Sequence, residues 1–596
     1  MAVVSEILYD KWILLWESFL QTIEPHLPEH LHWNELCWTF VYYMAELRLF
    51  IHSKTRGLEN WEIVVNTAIV CFGMFVVLEV LRILVPFIFF NDEGFFNVMK
   101  RFFFKKLRCL PFVGTKIQHQ IDKTCKEIEE TSFLTNGLPY VTKLPLNGLS
   151  PENIQSEIKK YKEINGDDCW MNGYVSGTVY SSDTVLSNLM TKVYAEYTWS
   201  NPLHSDVFPD VRKMEAEIVS MCINMYNGTP ECCGMMTSGG TESILMAVKC
   251  YREIARERGI RSPEIIAPVS AHPAFDKACQ YFGIKLTHIP VDKTTGKANV
   301  KLTKKAIGRR TILLVGSVPS YPHGCIDPIE ELATLAQKYK IYMHADCCLG
   351  GFLVPFMKKA GFQVPAFDFS VAGITSISID THKYGYSPKG SSVILYRNKE
   401  IRSHQYFTQP NWTGGVYASA SMPGSRPGSI IATTWAAMMY HGEKGYIEST
   451  RKIISTAKNI GTRIERIPGI KLMSAVDVSV VSFTSDIFDI FLMSNELKKK
   501  KWHLNPLQFP SGIHIAITMR HTKDGVADRF VNDIKEVAAR LIKNPSEKAE
   551  GQGAIYGLSQ QIPDRSIITE ITTAFLDSYY SVSSGLNTNN VQKNST

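Results

Sequence analysis

Residues 374–397 read ITSISIDTHKYGYSPKGSSVILYR, two apolar runs joined by a connection rich in Gly, Ser and Lys. Ile374–Ile379 and Ser392–Tyr396 have the length and β-branched content of buried strands. His382 and Lys383 therefore stand just past a strand end, where α/β proteins gather reactive groups. Working outward, short apolar runs recur at Glu264–Val269, Thr311–Val315 and Ile341–Met343. Helical periods lie among them: ILMAVKCYREIA has apolar residues at 244, 247, 248, 251 and 254, and Pro328–Lys338 is a second helix. That alternation predicts an α/β fold built on a mostly parallel, covered sheet. Beyond Gly428 come a long helical stretch, Trp435–Ile467, then the strands VSVVSFTS and IHIAITMR and a helix near Asp528–Ile542. These predict a smaller C-terminal α+β domain.

The first 110 residues have another character. Sixteen uncharged residues, IVVNTAIVCFGMFVVL, run from Ile63 to Leu78; Glu79 and Arg82 interrupt, and ILVPFIFF continues to Phe90. A spanning helix needs about 20 predominantly apolar residues, so the stretch reads as one membrane anchor, with an interfacial or buried helix as the alternative. Lys100, Arg101, Lys105, Lys106 and Arg108 follow it closely, against Arg48, Lys54 and Arg56 before it. The positive-inside rule then puts the C-terminal bulk in the cytosol. The stretch FFNVMKRFFFKKLRCL interleaves aromatics with cations and suits a helix in the headgroup region.

Over the whole 596 residues, 45% are hydrophobic and 20% charged, with a net charge of +7. That balance excludes a disordered or multi-span protein. The cations are scattered apart from runs such as Lys498–Lys501, and no nucleic-acid-binding signature accompanies them, so no nucleic-acid partner is expected. Thirteen cysteines without a CxxC pair point to a reducing compartment, no structural disulfide and no metal site.

Four segments carry the chemistry. Thr237-Ser238-Gly239-Gly240-Thr241-Glu242-Ser243 opens a helix, where glycines and the positive helix end can hold an anion. Ser270-Ala271-His272 and His344-Ala345-Asp346 each fall at a strand end. Ser378–Lys383 ends in a lysine at a buried sheet edge, where desolvation can lower an amine's pKa and ready it for Schiff-base formation. Each has a plain structural reading by itself: a glycine-rich turn, a satisfied histidine, a helix cap, a surface lysine. Together they supply what pyridoxal phosphate requires, namely a phosphate cradle, a ring-stacking group, an acid for the ring nitrogen and a Schiff-base lysine.

The sequence further resembles the eukaryotic sphingosine 1-phosphate lyases, within the fold type I superfamily of pyridoxal phosphate enzymes that also holds the group II decarboxylases. NGYVSGTVYSSD, WSNPLHSDVFPDVRKMEAEIV, TSGGTESILMA, HADCCLGGFLVPF, DTHKYGYSPKGSSVILYR and AIYGLSQQIPDR carry the likeness over roughly residues 135 to 580. The resemblance implies that Lys383 bonds to the cofactor, Asp346 pairs with the ring nitrogen and His272 stacks on the ring. It gives Gly239, Gly240 and Thr241 to the phosphate, with His382 nearby. Tyr180, His204 and Lys389 match positions that bind the substrate phosphate or lie beside the reacting carbons, and Tyr386 would line the same cavity. The loop Trp412-Thr413-Gly414-Gly415 resembles one that completes a neighbouring subunit's cofactor site, with a plain turn as the alternative.

On this reading the chain divides into a lumenal helical segment at 1–60, the anchor at 61–90 and a basic-aromatic linker at 91–135. A cofactor-binding large domain at 136–427 includes an N-terminal arm. A small domain with its extension follows at 428–582, and a disordered tail at 583–596. The implied activity is retro-aldol cleavage of a phosphorylated long-chain base to an aldehyde and phosphoethanolamine, by a homodimer anchored once in the endoplasmic reticulum membrane. Lys383, Tyr180 and the substrate's own phosphate are the candidate bases. An amino-acid decarboxylase and a non-catalytic membrane scaffold are the competing readings.

Overall fold

A computed structural model describes residues 138–164, 169–549 and 565–582, with scattered residues before 123. The chain falls into two units, residues 1–100 with 260–262 and the remainder. In the first, the described residues Val65, Phe72–Phe75 and Leu78 are helical. Most of the expected anchor lies outside the described residues, as does the tail from residue 583. Among the described residues no helix is long and apolar enough to cross a membrane.

The second unit is organised by a seven-stranded sheet. Its strands are β1 (Cys233–Thr237), β2 (Glu264–Pro268), β3 (Lys285–Ile289), β4 (Thr311–Ser317), β5 (Tyr342–Asp346), β6 (Ser376–Ile379) and β7 (Ser392–Tyr396), in the order β1-β7-β6-β5-β4-β2-β3. β7 runs antiparallel to both its neighbours, and the other pairs are parallel. Strands β1, β2, β4, β6 and β7 are buried along their whole length, as a sheet covered on both faces demands. The predicted β6 and β7 are thus present, and 380–391 is the turn between them. Strand β1 and the half-exposed edge strand β3 escape the sequence pattern. CGMMT has no β-branched run before its final Thr, and KLTHI is only partly buried.

Helix α1 (Gly240–Glu257) follows β1 directly. It buries the predicted stripe at Ile244, Ala247, Val248, Tyr251 and Ile254 against the sheet. Because β7 reverses and β1 reverses again, the carboxyl ends of β1, β2, β4, β5 and β6 all meet at one sheet edge. Thr237, Pro268, Ser317, Asp346 and Ile379 mark that edge. The last of these leads straight into Asp380.

Helix α2 (Gly428–Glu465) starts earlier than Trp435 and is broken at Gly442, whose φ of 56° no helix continues. Past it lies an antiparallel sheet of Lys471–Leu472, Val480–Thr484, Asn505–Leu507 and Gly512–Ala516, followed by α3 (Val526–Lys543), which packs on α2. Tyr384, one residue beyond Lys383, clamps the active-edge turn to this part. Its hydroxyl reaches Ile517 O at 2.7 Å and Ser479 Oγ at 2.8 Å.

Three buried histidines in this unit are kept neutral. Burial pushes His344, His514 and His521 down to about 4. In His514 the Nδ1–H donates to Pro322 O, so Nε2 is left to accept from Asn505, both at 3.0 Å. The unfolded chain binds these protons near pH 6.5 and the folded chain only near pH 4. Folding stability is therefore complete above about pH 6.5 and lost progressively as pH falls through that window, by up to roughly 3 kcal/mol per histidine. Thermal melts from neutral pH to about pH 5 should show the decline, and His514→Asn should flatten it; an unchanged slope in that variant would count against this origin.

Candidate active site

The sheet edge assembles four of the predicted groups. Asp346 closes β5, buried to 6% exposure. Its Oδ1 accepts from Cys348 N at 3.0 Å and from Ser378 Oγ at 3.1 Å. The proton on Ser378 fixes the rest of the chain. His344 Nε2 must donate to Ser378 Oγ (3.0 Å), and its Nδ1 accepts from Ser376 Oγ (2.8 Å), which in turn accepts from Tyr251 OH (2.6 Å). Burial works against a charge on Asp346, but the adjacent His272 and the Cys348 N–H hold the carboxyl below its ordinary value. Both bonds fall on Oδ1, which leaves Oδ2 to face a ligand.

His272 stands in the turn after β2, where its Nδ1 accepts from Ala274 N at 3.1 Å, so Nε2 carries the proton. Pro273 follows as the cap of the next helix, with φ −60°. Gly239 and Gly240 open α1 without a side-chain cap, so the first N–H groups of the helix are left for an anion. Glu242 turns back to Ser238, accepting from its N at 2.7 Å and its Oγ at 2.6 Å, which shapes that turn. A methyl group on Gly240 would stand 2.7 Å from Cys348 Sγ and 2.8 Å from Asp380 Oδ1, so only glycine fits there.

The turn 380–391 carries the other groups. Ser391 N donates to His382 Nδ1 at 3.2 Å, which leaves the Nε2 proton of His382 free for a ligand. The His382 ring lies beside Gly239, Cε1 being 3.5 Å from where a β-carbon would stand. Burial is the main effect lowering its pKa, and it outweighs the nearby Asp380. Gly385 is required because a β-carbon there would meet Thr381 O at 2.4 Å. Lys389 Nζ sits 4.8 Å over the Tyr180 ring and bonds to His382 O at 3.4 Å. Tyr180 itself packs edge-on to Tyr384, ring centres 4.8 Å apart. Burial pushes its phenol up to about 12, so it keeps its proton at neutral pH.

Lys383 corrects one expectation. Burial alone would lower its amine, but Asp380 Oδ2 lies 2.8 Å from Nζ and raises it above the ordinary lysine value. Asp380 stands three residues before Lys383 in the same motif and drew no role from the sequence; a carboxylate so close to a buried lysine was the signal. Ser376, Ser378 and His344 were also missed as supports of Asp346. Their signal was two serines two residues apart on a buried strand, hence on one face.

Two predicted residues are placed differently. His204 is on the exposed turn 201–208, tied through Asn201 to Ser425 Oγ at 3.1 Å and Arg426 N at 3.2 Å. The ring of Tyr386 contacts His441 at 4.8 Å and stacks on Tyr446 at 6.2 Å, in an aromatic cluster rather than with Lys383 and Tyr180. Tyr386 adopts a left-handed φ of 62°, a strained conformation for a tyrosine.

A lysine at the end of a buried strand, an acid with one open oxygen, a histidine beside it and an uncapped helix start fit pyridoxal phosphate. The fold and these groups define a pyridoxal-phosphate-dependent enzyme. In agreement, residues 173–486 match the family described as the pyridoxal-dependent decarboxylase conserved domain. More narrowly, the chain is 46% identical to rat sphingosine-1-phosphate lyase 1 over 541 residues, 90% of this chain and 93% of the relative. It is 46% identical to Drosophila melanogaster sphingosine-1-phosphate lyase over 492 residues, covering 82% and 90%. The solved sphingosine-1-phosphate lyase of Burkholderia pseudomallei superposes with a TM-score of 0.68 at 35% identity, over 74% of this chain and 99% of that one. The chain belongs to the sphingosine-1-phosphate lyase family.

Proposed function

We propose that this chain cleaves the C2–C3 bond of phosphorylated long-chain bases by a retro-aldol reaction, giving a long-chain aldehyde and phosphoethanolamine. The observation that carries it is Lys389 and Tyr180 beside Lys383, a cation and a phenol donor set next to the reactive amine. An amino phosphate needs a cation for its phosphate close to the point where its amine reacts, and Lys389 is such a cation.

Lys383 would link to the cofactor, Asp346 would face the ring nitrogen and His272 the ring plane. The helix-start N–H groups of Gly239, Gly240 and Thr241, with His382, would take the phosphate. When bound, pyridoxal phosphate supplies an aldehyde that bonds to amines and a ring that accepts electrons. The chain's own part is placement. Asp346 keeps its negative charge where the ring nitrogen gains positive charge, and the serine–histidine chain prevents it from turning away. Lys389 would hold the substrate's anionic end and so fix how the substrate is oriented beside Lys383. Tyr180, still protonated, orients the substrate by donation, and the freed Lys383 amine is held as a cation by Asp380, which leaves the proton of the C3 hydroxyl to the substrate's phosphate. Supplying purified protein with amino acids separates this reading from a decarboxylase, which would release carbon dioxide.

The reading extends to a homodimer and to the endoplasmic reticulum membrane. Trp199, Val207, Trp412, Val416 and Met422 are all more than half exposed on two adjoining loops, an apolar surface that a second copy would cover. His204 lies on one of these loops and Gly414-Gly415 on the other, which supports their serving a neighbour's site. The anchor at 61–90 with its basic flank would keep the site where a long-chain substrate resides. Removing residues 1–110 should lower activity on vesicle-borne substrate severalfold more than on detergent-solubilised substrate; equal losses would argue against tethering.

A further inference from the structure

Asp380 is buried to 2% exposure, and its two oxygens have different surroundings. Oδ2 lies 2.8 Å from Lys383 Nζ, while Oδ1 is buried without a hydrogen-bond partner. His382 Nε2, at 3.6 Å from Oδ2, is beyond hydrogen-bond range. Gly240 presses against the same carboxylate from the helix start, closing it off from water. A buried carboxylate needs a compensating charge, and here Lys383 supplies it.

We propose that Asp380 is a positioning residue that holds the Lys383 amine as a cation whenever that amine is not bonded to the cofactor, and so governs how fast the cofactor is loaded and released. The inference rests on the pyridoxal phosphate reading of the site. An amine attacks an aldehyde only after losing a proton. In the loading step the lysine nitrogen bonds to the aldehyde carbon, the carbonyl oxygen leaves as water, and the positive charge stays on nitrogen. Asp380 therefore faces a cation before and after the reaction, and its charge is never left uncompensated in the buried turn. The neutral amine between those two states is the species Asp380 disfavours.

The pair is measured directly on the full-length, cofactor-free protein by reductive methylation with formaldehyde and a borohydride donor. Incorporation at Lys383 is followed by peptide mass spectrometry from about pH 7 to about pH 12, a window that brackets the ordinary lysine midpoint of about 10.4. In wild type, labelling of Lys383 should still be rising where exposed lysines have levelled off. Asp380→Asn should label at least tenfold faster near neutral pH, with its midpoint moved down by one pH unit or more, and Asp380→Glu should restore the wild-type profile. Identical profiles in wild type and Asp380→Asn overturn the proposal. Should the Asn variant not fold, as judged by its thermal melt, the wild-type profile decides: a midpoint above that of exposed lysines upholds the pair and one below it overturns it. A second arm adds pyridoxal phosphate and follows the visible absorbance. A wild type that develops no band refutes the cofactor reading, while the methylation profile still judges Asp380.

Discussion

Lys383→Ala should abolish the visible absorbance of lysine-bound pyridoxal phosphate and lower turnover by roughly 10^4-fold, about 5.5 kcal/mol of barrier. The methyl group offers no amine to bond the cofactor or to exchange with the substrate's amine. It also leaves Asp380 buried to 2% exposure with neither oxygen compensated. Losing one partner of a buried pair costs about 3 to 5 kcal/mol, so the variant should melt several degrees lower as well. Lys383→Arg separates the two losses. It keeps a cation beside Asp380 and should recover part of the stability while staying inactive. Turnover within tenfold of wild type in Lys383→Ala would remove this residue from the chemistry.

Asp346→Ala should reduce turnover by roughly 10^2- to 10^4-fold while much of the cofactor remains bound through Lys383. On the proposed reading the loss has an electrostatic origin: the charge kept on Asp346 by His272 and the Cys348 N–H would no longer be available to the ring nitrogen. A structural penalty accompanies it. Ser378 Oγ and Cys348 N would each lose an acceptor in a buried place, at about 1 to 3 kcal/mol apiece. Asp346→Asn retains an oxygen acceptor and should recover most of the stability with little of the turnover. Cofactor content and turnover measured on the same samples check both parts, and unimpaired turnover in either variant would contradict the role of Asp346.

The reactive residues were legible because they sit at strand ends, where short apolar runs stop abruptly. Ile374–Ile379 and Ser392–Tyr396 bracket the 380–391 turn in sequence, and β6 and β7 bracket it in the fold. His344-Ala345-Asp346 likewise closes β5. What stayed hidden depends on packing between distant segments. Asp380 draws no role until Gly240, 140 residues earlier, is seen to press against it. Tyr386 shares a motif with Lys383, yet its left-handed backbone turns the ring into the cluster with His441 and Tyr446. The sign of the Lys383 shift could not be foreseen, because desolvation and a contact ion pair oppose each other and only the 2.8 Å distance decides between them. Strand β1 was missed for a local reason: methionine and glycine carry little strand preference, and the pairing with β7 overrides it.

Incubating full-length protein, reconstituted with pyridoxal phosphate, with sphingosine 1-phosphate and quantifying both fragments tests the central claim most directly. Equal molar amounts of a long-chain aldehyde and phosphoethanolamine, formed by wild type and not by Lys383→Ala, are the predicted result. An intact cofactor band with neither fragment released would contradict the lyase assignment.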